Sequence, residues 1–205
     1  MVRPSKSETV IFVTNFNSMK KLFIIIISVV LSITLQAQPG GMPALDKSPM
    51  DMSYYPANYP VLKIQDKITE PLVARVIYSR PQKSGRVIFG GLIKYGEVWR
   101  VGANEATEIE FFKHVRIAGK KISRGRYTLY AIVNETSWTL IINKETNTWG
   151  SFKYDQKKDV LRMDLPVQKT DPVVDPFTML FEKTVTGCSL LIAWDNIRVS
   201  MPVIF

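Results

Sequence analysis

Arg80, Arg86 and Arg100 place three guanidinium forks in one stretch of chain, and each fork matches the geometry of a carboxylate or a phosphate. Trp99 precedes the third arginine and offers a flat apolar platform for a sugar or another ring. Asn104, Glu105 and Thr107 follow within a few residues. Together these residues describe a pocket in which Arg100 and Asn104 orient a polar ligand and Glu105 accepts hydrogen bonds from it. In a catalytic version, Glu105 is the acid or base of a hydrolase or lyase and Arg100 stabilises developing charge. The competing reading is structural: Glu105 pairs with Arg80 or Arg100 to pin the loop, and Asn104 caps a turn. On extended backbone Asn104 and Thr107 fall on opposite faces, a constraint that a turn at Gly102-Ala103-Asn104 relaxes.

Elsewhere the chemistry is narrowed by what is scarce. The 205 residues include one Cys and one His, so no disulfide closes within the chain, and a zinc site of the usual Cys/His kind lacks ligands. A nucleophilic triad would have to run through His114, which reads as an ordinary surface or strand histidine. Cys188 beside Gly187 reads as a small buried residue at a strand start. Glu105 with Glu97, Glu108 or Glu110 could supply the carboxylate pair of a glycosidase, but such pairs occur in almost any protein of this composition. No calcium-loop, GxSxG, HExxH, P-loop or dinucleotide fingerprint is present, and no metal or cofactor is expected.

The elements that must hold these groups read as short strands. Leu72–Tyr78, Glu108–Phe112, His114–Ala118 and Gly125–Val133 are alternating or β-branched runs separated by turn residues. Gly125–Val133 turns through Asn134–Ser137 into Trp138–Asn143 as a hairpin, and Asp159–Leu165, Phe177–Lys183, Ser189–Trp194 and Ile197–Val203 follow. Strands of this length at this spacing predict a single all-β domain, an antiparallel β-sandwich or barrel, over residues 61–205. The pattern allows one short helix, over residues 92–98. Gly125-Arg126-Tyr127 resembles the corner in which a tyrosine hydroxyl bonds back to the chain. Trp138, Trp149 and Trp194 read as packing residues, and Asn143–Gly150 as a polar loop able to wall a site. Residues 38–60, rich in Pro and Met, read as a linker or extended arm, with Tyr54, Tyr55 and Tyr59 able to pack it onto the domain.

Upstream, Lys20-Lys21 and the 14 apolar-run residues Leu22–Leu35 form a secretory signal over residues 19–37, with cleavage expected near Ala37. The run is short for a permanent membrane anchor. Residues 1–18 match no signal n-region and read as a misassigned start preceding Met19. The whole chain carries a net charge of +9, and removal of residues 1–37 leaves about +6. These charges are spread along the sequence, which argues against nucleic acid as a partner and leans toward a small polar or anionic molecule, glycan or peptide. The sequence carries no signal of oligomeric state.

The segments Tyr78-Ser79-Arg80-Pro81, Ile88-Phe89-Gly90-Gly91-Leu92, Val98-Trp99-Arg100 and Gly102–Thr107 together resemble the signature of domain-of-unknown-function family 2911. The likeness continues through Gly119-Lys120-Lys121, Tyr127, Trp138, Asn143, Trp149-Gly150 and Asp159-Val160, and covers Val61 to Val203. The resemblance implies an exported protein of a Gram-negative bacterium, periplasmic or extracellular, and implies no activity. His114 departs from the family pattern, where an acidic or amide residue is expected, so a family-wide role for the only histidine is disfavoured. Three readings follow: a binding module using Arg80–Thr107, a scaffold in which that segment serves the fold, and a carboxylate-based enzyme.

Overall fold

The computed structural model describes residues 43–205, of which Leu45–Phe205 form one compact unit. The expectations for residues 1–37, a misassigned start and a secretory signal, lie outside the described residues. Eleven strands are ordered within these bounds: β1 Met50–Tyr55, β2 Ala74–Ser79, β3 Val98–Trp99, β4 Glu108–Phe111, β5 Val115–Ile117, β6 Lys120–Ile122, β7 Gly125–Val133, β8 Ser137–Asn143, β9 Asp159–Pro166, β10 Gln168–Thr184 and β11 Gly187–Ile204. A seven-stranded sheet runs β1-β2-β4-β7-β8-β9, with β3 attached to β7, and a four-stranded sheet runs β10-β11-β5-β6. All the named strand pairs are antiparallel, and the two sheets pack as a sandwich, as the alternation and turn spacing predicted.

Period-two alternation builds the core between the sheets. Tyr127, Leu129, Ala131 and Val133 of β7 and Leu140 and Ile142 of β8 point inward, against Phe177 and Met179 of β10 and Leu190, Ile192, Val199 and Met201 of β11. The intervening Tyr130 and Ile141, opposite each other in register, face the other way and form a second apolar cluster with Ala106. That outer face is covered by the loop after β8, with Tyr154 seated against it. At the corner before β7, the Tyr127 hydroxyl donates to the Ser123 carbonyl at 3.0 Å, so the tyrosine corner expected from Gly-x-Tyr is formed.

Four sequence readings differ from the structure. The arm expected over 38–60 contains β1, which pairs with β2 from Met50↔Ser79 to Tyr55↔Ala74 and closes one edge of the larger sheet. Pro49 and Pro56 bracket this strand and most of its residues stay partly exposed, so no apolar alternation marks it. A six-residue helix, α1 Tyr59–Ile64, follows, with Pro60 in its first turn and no buried residue. Residues 92–98 form no helix: Gly96 takes a φ of 77°, and Gly90 and Ile93 close a local turn. Ser189–Trp194 and Ile197–Val203 are one strand, β11, in which Asp195 at a φ of 55° makes an irregularity without ending the pairing.

Candidate functional site

The connection from β2 to β4 holds the arginines, and it is built as a chain of local closures. Trp99 Nε1–H donates to the Gly102 carbonyl at 3.1 Å, and the Thr107 hydroxyl donates to the Val101 carbonyl at 2.6 Å. The Thr107 amide donates to the Arg100 carbonyl at 3.1 Å, and the buried Ser79 hydroxyl donates to the Ala103 carbonyl at 2.7 Å. These bonds hold Val101, fully buried, at a φ of 56°, a region that β-branched residues avoid. Arg100 sits beside this constrained residue and is aimed by it.

The Trp99 ring enters the core rather than solvent. It meets Phe89, Trp138, Phe177 and Trp194 at centroid separations between 5.5 and 6.4 Å, in mostly edge-on geometry. Its outer margin nonetheless contributes to a cavity of about 330 Å³, whose polar and charged wall includes Arg86, Lys94, Glu97, Arg100 and Ser151. The three cations outnumber the one carboxylate, which favours an anionic occupant.

Among the described residues, four buried side-chain nitrogens make no hydrogen bond, and two of them, Arg100 Nε and Trp194 Nε1, belong to residues lining this cavity. Trp194 is only 1% exposed. Buried N–H groups are nearly always paired, because each orphan costs about 1–3 kcal/mol. Burial also lowers the Arg100 pKa from its ordinary value. A guanidinium stays charged in any such setting, so Arg100 is a cation held partly out of water without a counter-ion among the described residues.

The structure separates the residues that the sequence grouped. Arg86, Trp99 and Arg100 share the cavity. Arg86 is braced there by bonds from its guanidinium to the Lys83 and Gln82 carbonyls. Arg80 instead crosses between the sheets, donating to Asp51 at 2.9 Å, to the Phe177 carbonyl at 3.2 Å and to the Thr178 hydroxyl at 3.0 Å. Thr107 is buried and spent on loop closure. Asn104 takes a φ of 58° and its carbonyl accepts from the Gly150 amide. Glu105 is exposed, forms no ion pair with Arg80 or Arg100, and lines a different depression with Met50, Ile77 and Asn147. Lys94 and Ser151 are lining residues that sequence reasoning missed, whereas Glu97 was considered only as a glycosidase carboxylate and Trp194 only as packing. Lys94 and Glu97 lie inside the glycine-rich connection itself, whereas Ser151 and Trp194 arrive from distant strands and loops.

Among the described residues no cluster of three or more His, Cys, Asp or Glu is arranged to hold a metal ion, and no helix is long and apolar enough to cross a membrane. Fold and cavity together define a two-sheet β-sandwich that carries a cationic, tryptophan-backed cavity between its sheet connections. The chain belongs to a protein family of unknown function, DUF2911, whose model matches residues 60–203. No curated protein and no solved structure matches it.

Proposed function

We propose that the protein is a binding module that holds a small anionic molecule in the cavity of Arg86, Trp99 and Arg100. The observation that carries this reading is the charge on the wall of one cavity, where Arg86, Lys94 and Arg100 meet a single carboxylate, Glu97. A carboxylate or phosphate in this cavity would neutralise the half-buried Arg100 guanidinium. The volume, about 330 Å³, lies at the small end of ordinary ligand sites. Export past the inner membrane, to the periplasm or beyond, is part of the same proposal and rests on residues 19–37.

The enzyme reading is not favoured by the geometry, since Glu105 and Arg100 line different cavities and share no reacting centre. The scaffold reading is favoured for Arg80, which ties the sheets together, and for Thr107 and Asn104, whose bonds close the loop.

The test is thermal unfolding of the purified chain with phosphate, sulfate, citrate, succinate and glucuronate at matched ionic strength. A ligand at ten times its Kd adds about 1.4 kcal/mol, which raises Tm by roughly 3–6 °C for a domain of this size. Arg100→Met is expected to abolish the rise. No shift from any of these anions in the parent chain, or an equal shift in Arg100→Met, would refute the reading.

A further inference from the structure

A second concavity lies on the outer face of the seven-stranded sheet and shares no residue with the first. Its floor is Tyr130, and the loop from Lys144 to Tyr154 raises its walls. That loop is tied down with unusual thoroughness. Ala106 N–H donates to the Thr148 carbonyl and Gly150 N–H to the Asn104 carbonyl, each at 3.0 Å, so Glu105 and Trp149 form a two-residue antiparallel bridge. The Ser151 hydroxyl donates to the Val98 carbonyl at 2.8 Å, and the Asn147 amide donates to Glu108 Oε1 at 2.6 Å. The hydroxyls of Tyr130 and Thr148 bond at 3.0 Å, and the Thr128 hydroxyl donates to the Glu145 carbonyl at 2.6 Å.

All this anchoring leaves the two large aromatic rings of the loop in solvent. Trp149 is 61% exposed and Phe152 is 83% exposed. Gly150 between them takes a φ of 65°, and a Cβ there would stand 2.7 Å from the Phe152 ring. The phenyl ring therefore lies against bare backbone at Gly150, whose positive φ suits glycine. The anchoring seats the loop over the Ala106, Tyr130 and Ile141 cluster, yet it buries neither the Trp149 nor the Phe152 ring. Rings held in this way make a preformed contact surface.

The space they flank is about 550 Å³, and its remaining wall is polar: Glu145 paired with Lys158, Thr146, Asn147 and Lys153. Such a mixture of aromatic faces with carboxylate, amide, hydroxyl and ammonium groups is complementary to a pyranose, which shows C–H groups on its faces and hydroxyls at its edge. No arginine lines this cleft and its cations exceed its carboxylate by one, in contrast to the anion-selecting cavity. We propose that the cleft is a carbohydrate subsite, in which a sugar contacts both the Trp149 and Phe152 rings while Glu145 and Asn147 bond its hydroxyls.

The chain is suited to a direct test, because its other three tryptophans, Trp99, Trp138 and Trp194, are buried. Iodide quenching of tryptophan emission in the full chain therefore reports Trp149. The probes are maltohexaose, cellohexaose, chitohexaose and laminarihexaose, each to about 10 mM, enough to detect a Kd near 1 mM. Saturable protection of Trp149 by at least one of them is expected, with the Kd raised about tenfold in Phe152→Ala, whose Tm should stay close to that of the parent. Two results overturn the proposal: no protection by any of the four in the parent chain, or protection unaltered in Phe152→Ala. Protection by phosphate or by an aromatic tripeptide in place of every saccharide overturns it equally.

Discussion

Replacing Thr107 by Val removes one buried hydroxyl and leaves the outline of the side chain intact. In the native chain that hydroxyl donates to the Val101 carbonyl at 2.6 Å, and both residues are fully buried. Losing the donor strands a buried carbonyl, at a cost of about 1–3 kcal/mol. The added methyl group returns up to about 0.8 kcal/mol of apolar burial, so the net loss is roughly 1–2 kcal/mol. For a domain of this size that lowers Tm by about 2–8 °C. The bond also restrains Val101 at a φ of 56°, a conformation costing on the order of 1–3 kcal/mol. Without it, Val101 has reason to relax, and Arg100 next to it loses its aim. Thr107→Val should therefore weaken the anion response more than its stability loss alone explains, whereas Thr107→Ser, which keeps the hydroxyl, should retain that response. Urea unfolding with an unchanged m-value measures the first effect, and anion titration measures the second. A Thr107→Val chain within about 0.5 kcal/mol of the parent, with its anion response intact, would show that the loop is closed by something other than this hydroxyl.

Two further outcomes follow from single groups. Tyr127→Phe should destabilise by about 0.5–1.5 kcal/mol in urea, since its hydroxyl bonds the Ser123 carbonyl at 3.0 Å; a change under about 0.3 kcal/mol would mean that water replaces the bond freely. Burial pushes the Cys188 thiol up to about 12 from its ordinary 9.0. The folded chain then keeps a proton that the unfolded chain releases above pH 9, so stability is full below that pH and falls as pH rises, by up to ~1.4 kcal/mol per unit from this group. A thiol reagent at pH 8 should leave the native chain unlabelled and label it in urea, and rapid native labelling would contradict the burial.

Much of the scaffold was legible because its signals are local. Gly125–Val133 is a nine-residue strand that turns through Asn134 into β8, and hairpin register needs only neighbouring residues to decide it. The tyrosine corner likewise spans only five residues, from Ser123 to Tyr127. Segments whose pairing depends on distant chain were harder to see. β1 is an edge strand with little apolar burial, and the first half of β10 carries Pro172 and Pro176 on exposed backbone, where alternation has nothing to bury.

The candidate site divides in the same way. The density of Arg, Trp, Gly and Asn between residues 80 and 107 is a sequence property, and with it came the all-β class, the family signature and the expectation of a polar contact region. Which of those residues meet was decided by tertiary structure. Arg80 is taken up by Asp51 and Thr178, the latter 98 residues away, while Arg86 and Arg100 converge with Trp194 on one cavity. Glu105, adjacent in sequence to Asn104, is turned to another face by an αL residue and a bridge to Trp149. One positive φ reverses the side on which the next residue stands, and an ion pair forms with whichever charge the fold delivers. Neither is encoded in spacing along the chain, because both depend on contacts between strands far apart in sequence.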